Sequence, residues 1–309
     1  MRLKQLKPVH WIYNLLHYKK LKHNNEAYKK FNIEKPLYGS ISSKDFPDKE
    51  SRAWLDLGDA ATLAPEKETF KNFTPAEQDK IKNWSRLGYI SIDNFFNSET
   101  CDAVNAEITS LMEKGRLQFT NGNKLMFANK TSSLIRNITL NDELIKILEF
   151  LLDREVVPFQ TINFISGSQQ RAHSDSIHMT TYPLGYLIAV WIALEDTNAD
   201  NGPLFYFPGS HKLPYLLNEG FNEGSNFLTL GHKDYNDYED VLEELLTEKQ
   251  YPREEFHAKK GDIFIWHANL SHGGAAIKNP ELTRKSMVIH YYATDVIKYH
   301  EITERPSLL

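Results

Sequence analysis

Gly185-Tyr186-Leu187-Ile188-Ala189-Val190-Trp191-Ile192-Ala193-Leu194 is a near-continuous apolar run of strand length, too short to cross a bilayer. Upstream, Val156-Val157-Pro158-Phe159-Gln160-Thr161-Ile162-Asn163-Phe164-Ile165 also reads as a strand and runs into a Ser/Gly/Gln turn at 166–170. Downstream come a turn at Asn201-Gly202-Pro203, a short strand from Leu204 to Phe207, and a second turn at Pro208-Gly209-Ser210. Two more strands follow, Gly261 to His267 and Ser286 to Tyr292. Short strands separated by Gly/Pro turns, without a βαβ rhythm, predict a mostly β protein with a jelly-roll or small-barrel core. Flanking helices are expected from Thr74 to about Leu87, Ser98 to Lys114 and Asp142 to Asp153, where apolar residues recur at three- and four-residue spacing. Thr74-Pro75-Ala76-Glu77 is a helix start, with a threonine cap, proline in the first turn and an acid three residues after the cap.

Between the first two strands lies His173-Ser174-Asp175, and His272 follows about a hundred residues later. On an extended segment, side chains two apart face the same way, so His173 and Asp175 can share one ion. Two imidazoles and a carboxylate on one face of an octahedral Fe(II) leave three positions for a bidentate co-substrate and O2. The triplet alone is weak, because twelve histidines and forty-one acidic residues produce roughly one or two His-x-Asp matches by chance. A second one, His232-Lys233-Asp234, opens an acidic stretch with helical spacing through Leu246, and there the residues read as surface and capping groups. A lone histidine in an apolar strand is ordinarily a hydrogen-bonded core residue, and His267 and His290 are read that way. His178 is a candidate substrate-pocket residue, and His211 is assigned to shaping the Pro-Gly-Ser-His turn near the mouth of the site.

Taken together, several stretches resemble the phytanoyl-CoA dioxygenase family of Fe(II)/2-oxoglutarate oxygenases from about residue 75 to 295. They are His173-Ser174-Asp175, the segment Val190 to Asp196, Asn201-Gly202-Pro203-Leu204, Pro208-Gly209-Ser210-His211-Lys212, Gly261-Asp262, Trp266-His267, His272-Gly273-Gly274 and Arg284. The resemblance implies a double-stranded β-helix (cupin-like) core, Fe(II) held by His173, Asp175 and His272, and Arg284 paired with the distal carboxylate of 2-oxoglutarate. A guanidinium suits that role because it grips a carboxylate with two parallel charge-assisted hydrogen bonds. Ser286, two residues on, is expected to face the same way, and Asn163 and Trp191 match positions near the co-substrate. With Asp175 in the carboxylate position, the resemblance favours hydroxylation over halogenation, with O2 consumed and succinate and CO2 released. The substrate is expected to be a small molecule or an acyl or lipid-like compound. Two other classes stay open: a cupin-like metalloprotein without need of 2-oxoglutarate, which Arg284 and Ser286 would discriminate, and a non-catalytic scaffold.

Composition limits the rest. The 309 residues carry a net charge of −5 and one cysteine, Cys101, which excludes an intramolecular disulfide and suits a reducing compartment. No stretch has transmembrane length and no signal-peptide pattern opens the chain, so a cytoplasmic location is expected. Residues 1–35 differ, with nine Lys or Arg against two Glu, a net of +7 against −12 for the other 274. Within them Trp11, Ile12, Leu15, Leu16 and Tyr18 form an amphipathic basic helix pattern, suited to an anionic membrane surface, an acidic partner or the protein's own acidic body. No nucleic-acid motif accompanies these charges, so nucleic-acid binding is not expected. The organisation expected is a segment 1–73, part of the same globule or peripheral, followed by an oxygenase domain at 74–309. Residues 36–73 are polar and aperiodic, as in a loop over the active-site mouth or an extended wrap.

Overall fold

The computed structural model describes residues 5–46, 48, 52–120, 122–218 and 225–309. Thirteen strands are found among them: β1 (Tyr89–Ile92), β2 (Phe119–Thr120), β3 (Lys124–Met126), β4 (Val156–Phe164), β5 (Thr180–Tyr182), β6 (Leu187–Ala193), β7 (Leu204–Tyr206), β8 (Glu254–Phe256), β9 (Ile263–His267), β10 (His272–Gly274), β11 (Ser286–Ala293), β12 (Ile297–His300) and β13 (Arg305–Pro306). They form a seven-stranded sheet in the order β1-β9-β6-β11-β4-β3-β2 and two three-stranded sheets, β10-β7-β8 and β13-β12-β5. All pairings are antiparallel. Helix exceeds strand by residue count, about 38% to 21%, but the helices flank a β core.

Register explains why the central strand β6 has no polar face. In β6, Ile188, Val190 and Ile192 join the core beneath the helices Ser98–Glu113 and Asp142–Leu152, together with Ile263, Ile265, Met287 and Ile289. The alternate residues Ala189, Trp191 and Ala193 face the β10-β7-β8 sheet with Ile162, Phe164, Phe264, Trp266 and Val288. A strand buried on both faces reads as a continuous apolar run, as β6 does. Each of the fully buried aliphatic side chains contributes roughly 1.5–3 kcal/mol.

The helical expectations hold with small changes. Thr74 caps the Pro75–Lys82 helix with a reciprocal Glu77 bond, but the chain breaks at Asn83 before a short Trp84–Leu87 turn, which Gly88 ends in the left-handed region. The described residues of 36–73 wrap the body instead of lining the site. Ala53, Leu55, Ala60, Ala64, Phe70 and Phe73 are buried in the main core, and the apolar residues are spaced for irregular turns, which periodicity cannot reveal.

The basic segment also packs on the body. Leu21, Ala27 and Tyr28 share a cluster with Tyr182, Ile297 and Tyr299, while residues 1–4 lie outside the described residues. Near this junction the buried Glu301 carboxylate accepts hydrogen bonds from the Ser43 hydroxyl (2.6 Å), the Ser43 amide (3.1 Å) and the Asn218 amide (3.0 Å). Burial outweighs those bonds and pushes its pKa from 4.5 up to about 6. The folded state therefore binds this proton more tightly than the unfolded chain does. Its stabilisation, about 2 kcal/mol, is complete below pH 4.5 and is lost as pH rises through 6. Chemical unfolding across that window should show a Glu301→Gln variant lacking this component of the slope; parallel curves for the two proteins would refute the assignment.

Candidate metal and co-substrate site

His173 and His272 come together through backbone pairing. Each donates its amide to the other's carbonyl at 2.9 Å, so the loop after β4 extends the β10-β7-β8 sheet by one bridge. Ser174 stays extended and Asp175 opens a short 3-10 turn (Asp175–Ile177), slightly different from the fully extended triplet expected. The outcome for the side chains is the same: one ligand atom from each of His173, Asp175 and His272 lies within 4.8 Å of the others, and all three residues are buried.

Neighbouring groups set the protonation states. Nδ1 of His173 lies 2.9 Å from the Arg171 carbonyl and Nδ1 of His272 lies 3.0 Å from the Leu270 carbonyl. A carbonyl only accepts, so each Nδ1 carries the proton and each Nε2 presents its lone pair. Burial pushes the His173 pKa down to about 3, with His272 adding to the effect, and burial lowers His272 as well; both are neutral imidazoles, the form that binds metal. Burial alone would raise Asp175, but the adjacent His290 outweighs it and holds the carboxyl below its usual range. Oδ2 of Asp175 also accepts the Trp266 indole N–H at 2.8 Å. The Gln170 amide donates to Nε2 of His173 at 3.2 Å, a bond that a metal at that atom would displace.

These groups line a cavity of about 560 Å3 between the two sheets, and Arg284 and Trp191 line it too. Arg284 is 2% exposed, with its guanidinium 5.7 Å from the Phe164 ring centre and 5.6 Å from that of Trp191. It donates to the Ser286 hydroxyl at 3.2 Å, and its Nε has no partner among the described residues. Glu195, the acid that raises its pKa, is engaged by the Lys285 amide and the Thr283 hydroxyl. Burial lowers the Arg284 pKa to about 10, so the group is charged at neutral pH. A buried cation without an internal carboxylate is costly unless an anion enters.

Asn163 requires a correction. It pairs in register with Met287 and Leu125, both in the helix-side core, while Ile162 and Phe164 on either side of it face the cavity. Strand alternation therefore turns Asn163 away from the co-substrate. His211 lies in the Ser210–Lys212 turn, buried, and lines a second cavity with His267 and Asp56 rather than the mouth of the metal site. His267 is structural as read, 3.0 Å from Asp56. His290 is not merely structural, since it lies 3.5 Å from Asp175 and lines the same cavity. Lys124, Gln160, Tyr235 and His300 also line it and were not anticipated. Asp234 of the second His-x-Asp match caps the Tyr235–Glu248 helix.

The sequence profile of the family described as Phytanoyl-CoA dioxygenase (PhyH) matches residues 84–286. The chain belongs to the phytanoyl-CoA dioxygenase family. Among curated relatives it is similar to phytanoyl-CoA dioxygenase domain-containing protein 1 of Danio rerio, at 31% identity over 113 residues, 36% of this chain and 35% of that protein. It is also similar to the peroxisomal phytanoyl-CoA dioxygenase of Rattus norvegicus, at 26% identity over 130 residues, 41% of this chain and 35% of that one. The chain thus spans about a third of the length of these relatives. Among solved structures, the non-heme alpha ketoglutarate dependent carbocyclase SnoK from nogalamycin biosynthesis superposes with a TM-score of 0.60 at 16% identity, covering 77% of this chain and 89% of SnoK. EctD from S. alaskensis, solved with 2-oxoglutarate and 5-hydroxyectoine, superposes with a TM-score of 0.57 at 17% identity, covering 87% and 96%. At such identities the likeness shows the fold.

In this phytanoyl-CoA dioxygenase family member the glycines after His272 have a steric reason. A Cβ on Gly273 would lie 2.4 Å from the Phe205 ring and 2.6 Å from the Gln170 carbonyl, and one on Gly274 would lie 2.8 Å from the Gln169 amide. The strand can cross residues 168–170 only without side chains there. Gly273→Ala is expected to cost about 1–3 kcal/mol and to displace His272. Thermal unfolding together with Fe(II) affinity checks this, and an unchanged pair of values would refute it.

Proposed function

We propose that this protein is an Fe(II)- and 2-oxoglutarate-dependent dioxygenase that hydroxylates an aliphatic C–H of a small molecule or acyl-like substrate, consuming O2 and releasing succinate and CO2. The observation that carries the reading is the pairing in one cavity of His173, Asp175 and His272 with the buried Arg284 guanidinium, whose Nε has no partner among the described residues. Both halves fit the groups implied: neutral imidazoles and a carboxylate suit Fe(II), and the guanidinium suits a carboxylate. The bound iron and its keto-acid co-substrate supply the oxidising power when present.

The chain's own residues do the rest. His173, Asp175 and His272 hold the metal, their orientations fixed by the Arg171 and Leu270 carbonyls and the Trp266 indole. Arg284 and Ser286 hold the distal carboxylate, with Trp191 and Phe164 as walls that exclude water and strengthen the ion pair. On the substrate side the lining combines apolar Met126, Ile162, Met179 and Val288 with His178, Tyr235 and His300. Such a wall suits a substrate with an apolar body and one hydrogen-bonding group. EctD, which shares the fold, is solved with 2-oxoglutarate and 5-hydroxyectoine, consistent with a small-molecule substrate here. The test is succinate formation from 2-oxoglutarate by the purified protein, expected to require both Fe(II) and O2. A metal-loaded protein that consumes no 2-oxoglutarate with any candidate substrate would remove this reading.

A further inference from the structure

Helix α1 (Lys7–Leu16) is turned the opposite way from an ordinary amphipathic surface helix. Its buried residues are polar: Lys7 pairs with Glu304 at 2.5 Å, and the Asn14 amide donates to the Tyr38 carbonyl at 3.0 Å. Val9, Ile12, Tyr13 and Leu16, spaced to share one face, are all exposed, Ile12 at 61% and Leu16 at 77%, with Leu15 at the margin. The loop beside the helix start packs on the other side of α1, the side of Lys7 and Trp11. The Lys7 amide donates to the Leu228 carbonyl, Leu6 bridges Thr229, the Phe227 ring lies 5.2 Å from Trp11, and Phe227 and Leu228 are both exposed. An exposed apolar helix face of this kind marks an interaction surface.

Charge indicates what covers it. Lys19, Lys20 and Lys22 follow directly on the next turn, all exposed and, among the described residues, without an ion pair. Glu26 is the sole acid from residue 5 to 31. Lys130 belongs to the same cationic side: burial lowers its pKa and the charge on Lys20 lowers it further. Tyr13 and Tyr18, both exposed, are amphipathic rings of the kind that settle at a membrane–water boundary. A symmetric dimer through this face would instead bring two lysine clusters together.

We propose that α1 docks on an anionic lipid surface, with Ile12, Tyr13, Leu15 and Leu16 at the acyl boundary and Lys19, Lys20 and Lys22 on the headgroups. The docked face is joined to the catalytic cavity by one turn, because Glu304, which anchors Lys7, lies four residues after His300 on the cavity wall. The assignment does not depend on the catalytic reading, and its variants leave the metal site intact.

The test is co-sedimentation of the full chain with vesicles of phosphatidylcholine alone and with vesicles of equal parts phosphatidylcholine and phosphatidylserine. The second kind is expected to bind, less so as salt rises. Changing Lys19, Lys20 and Lys22 together to Gln should weaken binding about a hundred-fold, and Ile12→Glu with Leu16→Glu should abolish it. These positions are exposed, so unfolding midpoints should be unchanged. Absence of binding by folded wild-type protein would overturn the proposal. So would equal binding by the double Glu variant, or a dimer in light scattering that this variant converts to monomer.

Discussion

Asp175→Ala is expected to leave a folded protein with no detectable 2-oxoglutarate turnover. Asp175 is the anionic member of the triad, and its removal leaves two neutral imidazoles to hold a dication in a buried site. Folding should survive, at a cost of about 1–3 kcal/mol for the Trp266 indole left unpaired. His173→Ala and His272→Ala should behave likewise, since each removes one of the three ligands. Trp266→Phe provides the graded comparison. It removes only the hydrogen bond that orients Asp175, and such changes cost roughly 10–100-fold in metal affinity or activity. The measurements are Fe(II) affinity and succinate release, side by side. Full activity in His272→Ala would contradict the ligand assignment, and a Trp266→Phe effect equal to that of Asp175→Ala would contradict the division between ligand and support.

Arg284→Met is expected to move stability and co-substrate affinity in opposite directions. Without an anion in the cavity, the guanidinium is buried between two aromatic rings with, among the described residues, only the Ser286 hydroxyl as a hydrogen-bond acceptor, so an apolar side chain of similar length should keep or raise the unfolding midpoint. With 2-oxoglutarate present, the variant loses one side of a desolvated ion pair. That loss is worth about 2–5 kcal/mol, or roughly 30-fold to a few thousand-fold in the 2-oxoglutarate requirement. Arg284→Lys should fall between, because a single ammonium keeps the charge but not the planar fork. Thermal unfolding with and without 2-oxoglutarate separates the two effects. A variant destabilised alone yet still stabilised normally by 2-oxoglutarate would show that Arg284 is a structural residue.

Much of this was legible in the sequence because the decisive signals are local. The apolar run of β6, the punctuation at Asn201-Gly202-Pro203 and the Thr74 cap each specify a backbone shape within a few residues. His173 and Asp175 were legible for the same reason, although one opens a bridge and the other a 3-10 turn. Asn163 shows where local reading stops. Which face of β4 points at the cavity depends on its register with β11 and β3, contacts more than a hundred and about forty residues away in sequence. The cavity's Lys124, His290 and His300 were missed on similar grounds, since strands paired far along the chain bring them together. For α1 the amphipathic period was visible but its orientation was not. The buried Lys7–Glu304 pair turns the polar side inward, and residue 304 lies at the other end of the chain.

The most direct test of the central claim is anaerobic titration of the apoprotein with Fe(II) and then 2-oxoglutarate, followed by visible absorption. The arrangement of His173, Asp175, His272 and Arg284 predicts a weak charge-transfer band from a keto acid chelated to Fe(II), formed by the wild type and shifted to much higher 2-oxoglutarate concentration in Arg284→Met. Fe(II) binding with no band at any 2-oxoglutarate concentration would contradict the claim.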